Sequence, residues 1–252
     1  MAQSKIRDTL AFCLGIVLIG VLLQAAGALK GDDLVFPRVD EILRAFFRLI
    51  TTGKTYALIW TTVKHLAVSM AISTAAGIAL GMAQGMIPFV RRLLTPLMTL
   101  LRSMPMIVLI VIVMVLARYD KVPVIASTII LTPMIAEAAC EGCLRIDREL
   151  IDVYRMNASF NGKVLVHVYL PLMAGYLHQA WINAVGMGVK LAVSTEYLVQ
   201  TRDSLGKAVH TSAYFNEYQD IYAYALVMIL LVLLVSEAPI VIGRWIRPAK
   251  AK

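Results

Sequence analysis

Charge, cysteine and histidine are all scarce in this chain. Only 16% of its 252 residues are charged, against about 25% in a soluble globular domain, which excludes an ordinary solvent-exposed protein. The 3 cysteines, Cys13, Cys140 and Cys143, are too few for a disulfide framework. Cys140 and Cys143 form a C-x-x-C, but there is no second pair to complete the ligand set of a structural zinc site. His65, His167, His178 and His210 are scattered, none at metal-ligand spacing, and no Ser-His-Asp grouping emerges. No metal site and no catalytic residues are therefore expected. An ATP-binding loop is missing too. Gly53-Lys54-Thr55 imitates the end of one, but Arg48 stands where its first glycine belongs.

Apolar residues fill the space these absences leave. They make up 60% of the chain, and the mean hydropathy is +0.76, so the class is an all-α, polytopic membrane protein forming a single domain over residues 1–252. The net charge of +8 comes from Lys and Arg spread over loops and termini. That pattern fits the bias of cytoplasmic loops and argues against nucleic acid as a partner. The 13 methionines are read as adaptable packing rather than as ligands.

Six spans are expected, at about 9–29, 66–87, 96–117, 122–140, 172–199 and 221–242. The first follows Lys5 and Arg7 and ends in Ala26-Gly27-Ala28, imitating a secretion signal. It is longer than the roughly 7–15 apolar residues of such a signal and is read as retained. Between the first two spans, Val39, Ile42, Leu43, Phe46, Phe47 and Ile50 line one helical face, which predicts a short helix on the outer membrane surface. In the second span Ser69, Ser73, Gly77, Gly81 and Gly85 recur every four residues. Such a stripe lets a neighbouring helix approach closely, so Ser73, Gly77, Gly81 and Gly85 are assigned to helix packing. Arg91 and Arg92 then mark the cytoplasmic side, and Tyr218, Tyr222 and Tyr224 resemble an aromatic belt at the outer edge of the last span. Six spans with this loop bias put both termini in the cytoplasm.

One polar island, Glu137 to Pro171, interrupts the oily sequence between spans four and five. Ile146, Leu150, Val153 and Tyr154 recur there at amphipathic-helix spacing. Asp147 is the candidate N-cap, and Glu149 sits in the first turn, where the helix dipole favours an acid. Such a helix is a docking surface, and the segment 143–168 is assigned to coupling with a soluble motor. Arg102, Lys190 and Glu196 lie inside spans, where charge is expensive and marks solute pathways, although for Glu196, near the outer end, a structural hydrogen-bonding role has at least equal claim. A pathway lined by Arg102 and Lys190 favours an anionic solute.

In these features the chain resembles a permease subunit of a binding-protein-dependent ABC importer, of the nitrate, taurine and alkanesulfonate class. The resemblance runs from Val35-Phe36-Pro37 to the end. It is carried by Leu101-Arg102-Ser103-Met104-Pro105, Asp147-Arg148-Glu149-Leu150, Thr195-Glu196 and Ser204-Leu205-Gly206. That family's cytoplasmic signature, counted back from Leu170-Pro171, puts its Glu-Ala-Ala on Asp152-Val153-Tyr154 and its glycine on Ala158, with Val168 as the aliphatic. The acid is kept, and the two alanines and the glycine are replaced. The resemblance implies the type I importer permease fold in a prokaryotic inner membrane. It also implies contact with the ATPase through Asp147, Leu150, Asp152, Val153, Tyr154, Arg155, Ala158, Leu170 and Pro171. The implied partners are a pair of ABC ATPase subunits, a second permease copy or paralogue, an external binding protein and membrane lipid. ATP and magnesium belong to the ATPase, so no cofactor is expected in this chain. A secondary transporter or channel would also use six spans and buried charge, but would have no need of the docking helix.

Overall fold

The computed structural model describes Gly15, residues 37–147, Glu149 and residues 162–246. The expected span 9–29, apart from Gly15, lies outside the described residues, as do Leu150, Asp152, Val153, Tyr154, Arg155 and Ala158. Among the described residues every regular element is helical. The principal ones are α1 (Val39–Thr51), α2 (Gly53–Met86), α3 (Pro88–Ser103), α4 (Met106–Leu116), α5 (Val122–Leu144), α6 (Ala174–Val199), α7 (Leu205–Tyr214) and α8 (Tyr218–Ile246).

The core is the pair α2 and α5, with α6 packed across both. The small-residue stripe explains the closeness of the pair. A Cβ on Gly77 would fall 2.8 Å from the Cβ of Ile135, and one on Gly81 would fall 2.2 Å from the carbonyl oxygen of Ala136. One on Gly85 would fall 2.5 Å from the Cβ of Cys143. Ser73 continues the seam by donating to the Thr128 carbonyl at 3.3 Å. Without side chains between them the two backbones gain dispersion contacts that lipid cannot match. Cys140 and Cys143 are both free thiols on this seam, and no cluster of metal-ligating side chains exists among the described residues.

Several boundaries differ from the sequence expectation for local reasons. Helix α2 begins at Gly53, not near residue 66, because nothing between Lys54 and His65 breaks a helix. The expected third span, 96–117, is two helices bent by 102° at Met104-Pro105. Pro105 disfavours a helical conformation at the residue before it, and Met104 is accordingly extended, with ψ 129°. The polar island begins later than Glu137, since α5 keeps its helix through Leu144. Within the expected outer loop, 200–220, lies the additional helix α7.

Among the described residues, α2, the stretch Tyr119–Leu144 and Tyr218–Val235 are long and apolar enough to cross a membrane, and the bent pair α3–α4 would make a fourth span. Helix α6 is not in that set, because His178, Gln179, Asn183, Lys190 and Glu196 lower its hydropathy. It compensates by burying Ala184, Val185, Val189, Leu191 and Ala192 inside the bundle.

The helix α1 packs on α8, but with a rotated face. Ile42, Ala45 and Leu49 are buried, whereas Val39, Leu43 and Phe47 of the expected stripe are exposed. Arg48 of α1 pairs with Asp220 of α8 and so does not reach for headgroups. The aromatic belt is also incomplete, since Tyr224 turns inward and is buried.

Candidate functional site

Three places collect the polar residues that a membrane chain hides from lipid. The first is where the chain on either side of the expected coupling segment meets the bundle. Ile146 at its start and Val168, Tyr169 and Met173 at its end share one apolar cluster with Met82 and Cys143. The returning chain enters this cluster as a π-helical turn, Leu165–Tyr169. Pro171, which has no amide to donate, follows directly and loosens the ladder there. Leu170 is half-buried, while Pro171 and Asp147 are exposed. Arg145 lies over the ring of Tyr176, 5.8 Å from its centroid. Both ends of the segment are thus fixed to the C-terminal ends of α2 and α5. A displacement of the segment would be passed to those helices as a unit.

The second place is the junction of α2, α6 and α7, built around Glu196. Its side chain is fully buried. Thr62 donates to Oε2 at 2.8 Å, His65 Nδ1 lies 2.8 Å from Oε1, and the Gly206 amide donates to Oε2 at 3.2 Å. With a carboxylate as acceptor, the histidine nitrogen is the donor. The remaining amides of the α7 N-terminus are also satisfied. Leu205 donates to Thr62 Oγ1 at 3.1 Å, and Lys207 donates to the N-cap Ser204 at 3.2 Å. The Glu196 side chain sits at the positive end of the α7 backbone dipole. Glu196 thus serves as a cross-link between three helices, in keeping with the structural hydrogen-bonding role weighed for it beside a place on the pathway. Only Ser204-Leu205-Gly206 signalled this junction in the sequence.

The third place is a cavity of about 260 Å³ between α2, α3 and α5. From α3 it takes Arg91, Thr95, Met98, Thr99 and Arg102, and from α5 it takes Pro133, Glu137, Cys140, Glu141 and Leu144, with Gln84 from α2. These sets recur at three- and four-residue steps, so each helix presents one face to the cavity. Arg102 pairs with Glu137 across it. Sequence reasoning found Arg102 but missed its partner and the rest of the lining, although the spacing of Arg91, Thr95, Met98 and Arg102 was a readable signal.

Lys190 stands apart from all three. It is exposed on α6, on the same side as Gln179 and Asn183, and Gln179 donates to Asn183 at 3.3 Å. The structure thus does not bring Arg102, Lys190 and Glu196 into one site.

Comparison with known proteins follows from this geometry. Residues 73–252 match a family described as binding-protein-dependent transport system inner membrane component. No curated protein matches the sequence. A solved structure of the MetNI methionine ABC transporter, inward-facing and in its native CY5 crystal form, is similar with a TM-score of 0.66 at 20% identity, covering 77% of this chain and 97% of that one. A bacterial ABC transporter involved in import of the acidic polysaccharide alginate gives a TM-score of 0.67 at 12% identity, covering 96% and 97%. At such identities the likeness speaks for the fold, that of the type I importer permeases.

Proposed function

The chain belongs to the family of binding-protein-dependent transport system inner membrane components, multi-pass permeases rather than enzymes, and from that premise we propose that it forms the solute pathway of an ATP-driven importer for a small anionic solute. The observation that carries the solute class is the polar side of α6. Gln179, Asn183 and Lys190 are exposed on a helix whose opposite side, with Ala184, Val185, Val189 and Leu191, is buried in the core. A charged side chain within a membrane helix faces a wet cavity or a polar partner rather than acyl chains. This side of α6 is therefore read as turned toward the pathway, with a second permease copy or paralogue completing it.

The coupling segment is read as the seat of an ABC ATPase, one for each permease, which binds ATP and magnesium. Supporting this is the way Ile146 and Val168 root both ends of the segment in one cluster. An external binding protein delivers solute to the residue 200–220 side, and the Arg91 end of the bundle faces the cytoplasm. Closure of the ATPase pair would tilt α2 and α5 as rigid bodies and exchange outward and inward openings.

The test is uptake into proteoliposomes containing the assembled transporter, its binding protein and ATP. Lys190→Met is expected to lower uptake of the transported anion at least tenfold while Lys190→Arg retains it. Unchanged uptake by Lys190→Met would remove this residue from the pathway and the solute preference with it.

A further inference from the structure

The cavity between α2, α3 and α5 has charged side chains at both ends. Arg102 and Glu137 neutralise each other at one of them. Arg91, eleven residues earlier on α3, lies about 16 Å from Arg102 along the axis at 1.5 Å per residue. Arg91 and Glu141 both line the cavity, yet neither makes an ion pair among the described residues. Gln84 completes this end. It is 7% exposed, lines the cavity, and its Nε2 has no hydrogen-bond partner among the described residues.

An amide donor buried without a partner is costly, on the order of 1–3 kcal/mol. Nearly all such groups in folded proteins are matched by protein, water or ligand. Here the unmatched donor stands beside one cation and one carboxylate, in a space smaller than the roughly 300–1,000 Å³ of a drug-sized pocket. The charges are balanced, two arginines against two glutamates. That balance disfavours a polyanion, and equally a simple cation. It complements a short molecule carrying both signs. Thr95 and Thr99 turn their hydroxyls onto the carbonyls of Arg91 and Thr95, at 2.6 and 2.9 Å, so the remaining donors at this end are Gln84 and Arg91.

We propose that this cavity is a binding site for a small zwitterionic solute, its anionic end held by the Gln84 amide and Arg91 and its ammonium end by Glu141. The proposal rests on the reading above in taking α3 and α5 as part of the solute route, and it departs from the simple anion of that reading in requiring a positive group beside the anionic one.

The experiment measures thermal unfolding of the purified permease–ATPase complex in detergent. The probes are β-alanine, 4-aminobutyrate and 6-aminohexanoate, set against the matching carboxylates and the matching amines. The amino acids are expected to raise Tm saturably by roughly 2–4 °C, with no rise from the carboxylates or amines. Gln84→Met keeps the side chain's volume and removes the unmatched donor. It is expected to have a Tm at or above that of the unsubstituted complex and to lose the ligand-induced rise. The proposal is overturned if none of the probes raises Tm, or if carboxylates or amines do so as well as the amino acids. It fails equally if Gln84→Met retains the rise or lowers the ligand-free Tm. These outcomes are read without transport. A failed Tm rise with uptake still dependent on Lys190 sinks the cavity alone, and uptake indifferent to Lys190 with the Tm rise intact sinks the α6 reading alone.

Discussion

Gly206 and Glu196 touch in a way that leaves room for nothing larger than hydrogen. The Gly206 amide donates to the Glu196 carboxylate at 3.2 Å, and a Cβ on Gly206 would lie 2.4 Å from the Cβ of Glu196, 2.4 Å from the Val193 carbonyl oxygen and 2.5 Å from the Tyr197 nitrogen. The first turn of α7 is therefore seated on the last turns of α6, and Thr62 and His65 hold the same carboxylate from α2. Two consecutive helices and a third more than 130 residues away in sequence meet at one acid.

Replacing that acid should be expensive. Glu196→Ala leaves Thr62, His65 and the Gly206 amide without their acceptor, and a loss of at least about 1–3 kcal/mol is expected, the range for one buried polar group left unsatisfied. Gly206→Ala meets backbone atoms rather than a flexible side chain, so its cost should reach or exceed the upper end of about 1–3 kcal/mol for overpacking. Thermal unfolding in detergent measures both, and a change within experimental error would refute the cross-link.

On the α2–α5 seam, Gly85→Ala pushes a methyl group to 2.5 Å from the Cβ of Cys143. It is expected to destabilise by about 1–3 kcal/mol. Cys143→Gly should recover part of this in the double variant, whereas Cys143→Ala, which keeps the offending Cβ, should not. A double-mutant cycle checks the point, with a coupling of roughly 0.5–3 kcal/mol expected for residues in contact. Additive effects would show that the seam relaxes elsewhere.

The Arg102–Glu137 pair is about half exposed on both sides. Exposed pairs contribute only about 0–1 kcal/mol, so reversing either charge should leave Tm nearly unchanged. Uptake should fall with Arg102→Glu or Glu137→Arg, and the double reversal should restore it. Uptake that ignores the single reversals would mean the pair plays no part in the route.

For the coupling segment, surface and mount should behave oppositely. Asp152→Lys and Arg155→Glu are expected to abolish co-purification of the ATPase while changing permease stability by no more than about 0.5 kcal/mol. Ile146→Ala removes a buried side chain of the mount and should cost about 2–5 kcal/mol. ATPase retained by both charge reversals would place the docking surface elsewhere.

What the sequence revealed depended on how local each pattern was. The stripe Ser73, Gly77, Gly81 and Gly85 was legible because four-residue spacing alone puts it on one helix face. Pro105 announced an interruption, yet the 102° between α3 and α4 is set by tertiary packing that no neighbouring residue encodes. Glu196 stood out as a charge within a span, but its partners at positions 62, 65 and 206 belong to other helices. From the sequence it was therefore placed with the pathway residues. The stripe on α1 was drawn through Val39, Ile42, Leu43, Phe46, Phe47 and Ile50, and of these Ile42 is buried together with Ala45 and Leu49, which lie beside it, while Val39, Leu43 and Phe47 are exposed. Hydrophobicity marks a face as apolar without saying which part of it another helix will claim. Helix α7 escaped notice because its stabilising partners lie outside it, in Thr62 and Glu196.

The break at Met104-Pro105 leaves α4 with 11 residues, about 16 Å of helix against the roughly 30 Å of a hydrocarbon layer. Amides at the start of such a half-length rod have no turn before them to bond with, and oil offers none. The elbow must therefore be kept away from acyl chains by protein or by water. Wherever this chain resides in its bilayer, it brings with it a fixed notch from which lipid is shut out.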